Sequence, residues 1–238
     1  NVLLVKKNSR ASMVGDEPLL LANTTKTWLA KSRALGIDKA IKNGAKVIIL
    51  DDGYQDYSII KDYNILTIKE SQEFGNKQII PAGPLRESIE RGLEKADHIF
   101  YYGNKKSFNY SDVLENTPIT EVKIKKVKKK VLYNIKNKNV LAFTGIAHPK
   151  NFFDSLISYG FNIVKKFEYP DHYKYSKVDI IKIISMSNLL KLSIITTEKD
   201  HVKVPKNLKK KIFSIPFEIV FNEREFFKNL KLKINLND

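Results

Sequence analysis

The sequence predicts an α/β fold made of two α/β units in succession, with mainly parallel sheets. Three observations carry that prediction. Short β-forming runs alternate with stretches of helical spacing along the 238 residues. The run Val47-Ile48-Ile49-Leu50 is apolar throughout and meets Asp51-Asp52-Gly53, as a buried parallel strand meets a functional loop at its carboxyl end. The strand-then-helix order begins again near Lys138.

Each element follows from its local pattern. Asn1–Val5 reads as a strand and Lys6–Met13 as a polar loop. Gly15-Asp16-Glu17-Pro18 opens a helix over Leu19–Ala22, since acidic residues and an early proline mark a helix start. Thr27–Ala30 is a short strand. Ser32 is placed to cap a helix over Arg33–Lys42, which Gly44 ends. The Val47–Leu50 strand follows, then a strand at Asn64–Ile68. Two prolines and a glycine make Ile79–Glu87 a rigid loop before a helix over Ser88–Ala96 and a strand at His98–Tyr102.

Ile119–Tyr133 alternates as strands do, and Lys123–Lys130 carries six lysines among eight residues. The run reads either as a phosphate- or membrane-contacting ribbon or as a solvated connector whose lysines blunt exposed edges. Beyond it come a strand at Asn139–Phe143, a helix over Pro149–Tyr159 and a strand from Asn162. A helix from Ser176 to Leu190, a strand at Leu192–Ile195, a strand segment over Lys211–Val220 and a short helix after Phe221 complete the chain.

Composition narrows the chemistry. With 42% hydrophobic residues the chain can bury a core, and with no cysteine it can form neither disulfides nor thiolate metal sites. No apolar run approaches the roughly 18 residues of a membrane span, and no signal peptide opens the chain. Asn1–Val5 reads as a strand already under way with no initiator Met, so the chain is expected to be cut at its amino end. The net charge of +16 calls for an anionic partner such as nucleic acid, a phospholipid surface or a phosphorylated substrate, unless it only spreads lysines over solvated faces. Basic–aromatic alternation of the kind that stacks bases is absent.

The reactive residues cluster at predicted strand ends and turns: Asp16-Glu17, Asp51-Asp52 and Thr197-Glu198-Lys199-Asp200, with His148 and His172 in turns. An Asp pair at a strand end can hold Mg²⁺, which takes one or two carboxylates. Equally, Asp51-Asp52-Gly53 can be a simple turn, and Asp16 or Glu17 can simply cap a helix. Arg86 in its rigid loop suits bidentate phosphate binding, or a salt bridge to Glu87 or Glu90. Together these groups suit phosphoryl transfer, which needs a metal, cations about the moving group and a base for the attacking hydroxyl. A Gly-x-x-x-x-Gly-Lys-[Ser/Thr] phosphate cradle is not in the sequence.

Six motifs then stand in order: Val14-Gly15-Asp16-Glu17-Pro18-Leu19-Leu20-Leu21-Ala22, Ile49-Leu50-Asp51-Asp52-Gly53-Tyr54-Gln55, Pro81-Ala82-Gly83-Pro84-Leu85-Arg86-Glu87, Gly145-Ile146-Ala147-His148-Pro149, Pro170-Asp171-His172-x-x-Tyr175 and Thr196-Thr197-Glu198-Lys199-Asp200. In this the chain resembles the tetraacyldisaccharide 4′-kinase family, the lipid A kinases of Gram-negative bacteria, from Val14 to Asp200. The resemblance implies a P-loop kinase-like fold of two α/β domains joined by a two-stranded linker. The expected bounds are 1–118, 119–137 for the basic linker, and 138–238. It implies ATP and Mg²⁺, and transfer to the 4′-hydroxyl of an acylated glucosamine disaccharide 1-phosphate. It further implies a monomer, peripheral on the anionic cytoplasmic face of the inner membrane, with no nucleic acid as partner.

The resemblance also implies roles. Asp16 looks like the general base and His172 like the group that orients and tunes it. Glu17, Asp51 and Asp52 look like the Mg²⁺ region, with Asp52 resembling a Walker-B carboxylate. Gln55, Arg86, Arg33 and Glu87 look like phosphate or substrate contacts. No role follows for His148 or for Thr197 to Asp200. Two departures stand out. Asp56 occupies a position where the family often has His, and so is not expected to touch nucleotide. The family's Walker A segment would lie upstream of Asn1, so residues 1–238 alone are expected to be an inactive fragment. The alternatives are another ATP-dependent phosphotransferase, or a basic noncatalytic module on membrane or nucleic acid.

Overall fold

The computed structural model describes residues 2–110, 114, 116–125, 135 and 137–234. Two compact units divide the chain: Asn1–Gly44 with Lys126–Glu218, and Ala45–Lys125 with Ile219–Asp238. This division differs from bounds at 118 and 138. The reason lies in the early apolar side chains: Val5, Val14, Leu19 and Ala22 bury together, with Val202 packed against them.

In the first unit, strand β1 (Val2–Val5) pairs antiparallel with β2 (Thr27–Ala30). Between them run α1 (Ala11–Val14), inside the stretch expected to be loop, and α2 (Asp16–Leu21). Helix α3 (Arg33–Lys42) has Ser32 at its N-cap position, as expected, without a side-chain capping bond.

The larger sheet of this unit is parallel. Strand β6 (Asn139–Thr144) lies between β7 (Asn162–Glu168) and β8 (Ser193–Thr197), and β9 (Ile212–Ile215) follows β8. Val140, Leu141, Ala142 and Phe143 are completely buried, as an apolar run must be when both faces of a parallel strand are covered. Helix α5 (Pro149–Ser158) puts Phe152, Phe153 and Leu156 against one side of this sheet. Helix α6 (Lys177–Leu190) puts Ile180, Ile183 and Ile184 into a second core cluster with Leu141 and Phe143. Ser176 and Asp179 form a reciprocal capping box that fixes where α6 begins. The four-residue helix α7 (Glu198–His201) starts directly at the end of β8.

In the second unit, β3 (Ile65–Lys69), β4 (His98–Tyr102) and β5 (Ile119–Lys125) pair parallel, and β10 (Glu218–Val220) borders β5. Helix α4 (Ile89–Glu94) is capped by the Ser88 side chain. Its Leu93 joins Ile68, Ile99, Tyr101 and Phe108 in the core. Helix α8 (Glu223–Ile234) brings Phe226 against His98, Phe100 and Tyr63.

Two expectations are corrected. Val47–Leu50 is no strand: Ile49 is 89% exposed, and the run has no ladder partner among the described residues. An apolar run becomes a central strand only where neighbouring strands take its N–H and C=O groups, as β7 and β8 do for β6. Lys211–Val220 is not one segment but β9 and β10, in different sheets. Pro216 separates them, having no N–H to continue a ladder. Ile119–Lys125 pairs in the second sheet between β4 and β10, and residues 126–134 of the expected ribbon lie outside the described residues.

Candidate functional site

Four of the six motifs meet in the first unit. Asp16 is the first residue of α2, held at the cluster because Leu19 and Val14 share a core with Val202, just past α7. Its side chain is 10% exposed. Oδ1 accepts a hydrogen bond from the Glu17 N–H at 3.2 Å and stands 3.0 Å from His172 Nδ1. Among the described residues no hydrogen-bond donor reaches the buried Oδ2, and the Lys203 ammonium lies 3.6 Å from it. Burial alone would raise the acid's pKa. The His172 bond, the backbone N–H and the Lys203 charge outweigh it and hold Asp16 below the usual carboxylate range.

His172 is presented by a strained residue. Its backbone is left-handed at φ 56°, a conformation non-glycine residues seldom adopt, in the loop between β7 and α6. The Asp171 side chain accepts the His172 N–H at 2.9 Å and steadies that turn. Beyond the ring, Nε2 lies 3.2 Å from Lys199 Nζ. A lysine ammonium only donates, so Nε2 is the acceptor and the imidazole proton sits on Nδ1, given to Asp16. Lys199 also meets Glu17 Oε1 at 3.1 Å and Asp171 Oδ1 at 3.6 Å. Burial would lower its pKa, but Glu17 and the other carboxylates raise it and keep the charge.

Behind these groups stands a buried brace. Asp200 is fully buried. Its Oδ2 accepts from Thr144 Oγ1 at 2.7 Å, Thr197 Oγ1 at 2.8 Å and the Gly145 N–H at 3.0 Å. Its Oδ1 accepts from Tyr175 OH at 3.0 Å and lies 2.8 Å from Lys203 Nζ. One carboxylate thus ties the ends of β6 and β8 to the loop that carries His172. Burial raises Asp200, yet Lys203 and the hydroxyl donors bring it below the ordinary value. The Tyr175 phenol is pushed far up by burial and by Asp200.

The other two motifs meet in the second unit. Asp52 sits in a turn at φ 49°. Arg86 Nη1 lies 3.2 Å from both of its carboxylate oxygens. Gln55 Oε1 is 3.5 Å from the same Nη1, and Gln55 Nε2 donates to Glu87 Oε1 at 3.2 Å. Tyr57 OH and the Lys95 ammonium hold Glu87 Oε2. Burial would raise Glu87, but Lys95 and the two hydrogen-bond donors leave it lowered. Gln55, Arg86 and Glu87 line a cleft of about 160 Å³ together with Tyr54, Leu66 and Phe74.

The expected metal region is divided between the two units. Glu17 belongs to the first unit with Lys199 on its carboxylate, whereas Asp51 and Asp52 belong to the second. Among the described residues no group of three or more acidic or histidine side chains could hold a metal ion unaided. Asp51 and Asp52 still fit Mg²⁺: both are exposed, hard oxygen donors, and Mg²⁺ bound beside phosphates takes only one or two such groups. Asp52 lacks the preceding strand that a Walker-B residue implies. Arg33, at the start of α3, is in the first unit. Asp56 accepts from Ser58 N–H and Oγ and so organises its own turn. His148 is the N-cap residue of α5.

Lys203 is the functional-site residue the sequence concealed, one cation among 42 lysines and arginines. Thr197 and Asp200 did carry a signal: Thr-x-x-Asp is a helix-capping pattern, and the Thr197 side chain accepts the Asp200 N–H.

A family model described as Tetraacyldisaccharide-1-P 4′-kinase matches residues 1–235. A tetraacyldisaccharide 4′-kinase of Rhodospirillum centenum is 32% identical over 213 residues, covering 90% of this chain and 63% of the relative. One of Rhodospirillum rubrum is 34% identical over 222 residues, covering 91% of this chain and 66% of the relative. The chain therefore spans a little under two thirds of these relatives' length. The crystal structure of LpxK from Aquifex aeolicus in complex with ATP superposes with a TM-score of 0.74, at 23% identity, over 98% of this chain and 74% of that one. The fold is shared with that protein.

Proposed function

The chain belongs to the tetraacyldisaccharide-1-phosphate 4′-kinase family, and from that membership we propose that it carries the catalytic base of a kinase acting on the 4′-hydroxyl of an acylated glucosamine disaccharide 1-phosphate. The observation that supports this most is Asp16: a nearly buried, ionised carboxylate fixed by His172 and faced by a lysine.

In this reading Asp16 accepts the proton of the attacking hydroxyl. His172 donates through Nδ1 and keeps the carboxylate from turning freely, the usual relation of a base to its orienting group. Lys199 holds the far side of the ring at Nε2, which fixes the tautomer that donates. Glu17 is engaged by that lysine and would have to release it to serve a metal.

Asp51 and Asp52 are proposed to hold Mg²⁺, and Gln55, Arg86 and Glu87 to bind phosphate or substrate, with Arg33 a further contact. ATP and Mg²⁺ supply the phosphoryl group and neutralise its charge when bound. Arg86 now spends its guanidinium on Asp52, so phosphate binding would exchange one anion for another at the same fork. The lysine excess favours an anionic bilayer at about 1 kcal/mol per residue close to the surface. The proposal extends to a peripheral position on the cytoplasmic face of the inner membrane. Among the described residues no helix is long and apolar enough to cross a membrane.

The test supplies ATP, Mg²⁺ and tetraacyldisaccharide 1-phosphate, or its 4′-deoxy analogue, to the protein expressed from its complete reading frame. One phosphate gained by the first lipid and none by the analogue is expected. Transfer to neither lipid, or to both, would refute the reading.

A further inference from the structure

Lys203 is buried as lysines rarely are, with 5% of its side chain exposed. Such a charge is costly unless paired, and two carboxylates share it. Asp200 Oδ1 is 2.8 Å away, and Asp16 Oδ2 is 3.6 Å away. The Tyr175 ring lies below it, 5.3 Å from Nζ to centroid.

The two distances differ in kind. At 2.8 Å Lys203 is anchored to a carboxylate that is itself fixed by Thr144, Thr197, Tyr175 and the Gly145 N–H. At 3.6 Å it attracts Asp16 without occupying a lone pair of Oδ2. Among the described residues, the charged groups joined to Asp16 or to its partners are Glu17 on its own helix, His172 and Asp171 on the loop, and Lys199 on α7, a helix that also carries Glu198 and His201. Helix α1 and strand β2 also pack on α2 and carry no titratable residue.

We propose that Lys203 is a positioning residue for Asp16: anchored by Asp200, it is the fixed counter-charge that holds the carboxylate with Oδ1 on His172. This rests on the reading of Asp16 as the base. A lysine serving only to neutralise Asp200 would lack any hold on Asp16, and that difference can be measured.

The experiment compares wild type with Lys203→Met, Lys203→Arg and the double variant Lys203→Met with Asp200→Asn, which removes both buried charges together and protects the fold. Lys203→Met should lower kcat on the order of a hundredfold, the scale of an ångström's misplacement, with KM unchanged. Lys203→Arg should restore most of it. In the crystal structure of the double variant, Asp16 should have left His172 Nδ1. A folded Lys203→Met protein with wild-type kcat, or a double variant with Asp16 still 3.0 Å from His172 Nδ1, would overturn the proposal. If the wild-type protein transfers no phosphate to the lipid, the kinase reading fails by itself, and the crystal structure alone decides what Lys203 does.

Discussion

His172 Nδ1 stands 3.0 Å from Asp16 Oδ1, although 156 positions separate the two residues. The pair exists because two independent devices aim it. The core shared by Val14, Leu19 and Val202 sets the start of α2. Asp200, tied to Gly145 and Tyr175, sets the loop of His172.

Replacing His172 by Ala should leave Asp16 in place but free to turn. The expected result is a kcat lower by about ten- to a hundredfold with little change in KM, since positioning and not substrate binding is lost. Steady-state kinetics with the acylated disaccharide check it.

Gly145 has no room for a side chain. An added Cβ would stand 3.0 Å from the Pro170 carbonyl oxygen, 3.1 Å from Tyr175 OH and 3.2 Å from Tyr173 Cβ. Gly145→Ala should push back the loop that carries His172, destabilising the first unit by about 1–3 kcal/mol. Urea melts together with transfer rates should show both effects.

The pH dependence of stability is expected to run through Asp200. Its folded-state pKa is lowered, so the native state binds fewer protons than the unfolded one. The stability this contributes is complete above the ordinary value of about 3.9 and is lost as pH falls through the lowered folded value. Asp200→Asn should cost about 3–5 kcal/mol at neutral pH, because Lys203 is then buried without its anchor. The gap between the two proteins should narrow below about pH 4. Denaturant melts at pH 7 and pH 3 measure it.

In the second unit, Arg86→Ala should weaken nucleotide binding by about ten- to a hundredfold, the scale of a charge-assisted hydrogen bond at 1.5–3 kcal/mol. Titration calorimetry of wild type and variant with ATP and Mg²⁺ decides it. Unchanged affinity would assign Arg86 to Asp52 alone.

Much of this was legible in the residues. Val140–Phe143 and Val47–Leu50 have the same apolar texture, but only the first is a central strand. Burial of a strand depends on neighbours contributed by distant sequence, which a local pattern does not contain. Ser176 announced the start of its helix because capping chemistry is local. The pairing of Asp16 with His172 came from family likeness, since a separation of 156 positions hides it from any spacing rule. Lys203 left no trace because a buried lysine and a solvated one are the same letter.

The central claim is that Asp16 is the base, and one rate measurement tests it most directly. Under saturating ATP and acylated disaccharide, Asp16→Asn keeps the size of the side chain and its place beside His172 but cannot accept a proton. A fall in kcat of about 10²–10⁴, with KM held, is the expected result. Transfer at the wild-type rate by the folded variant would contradict it.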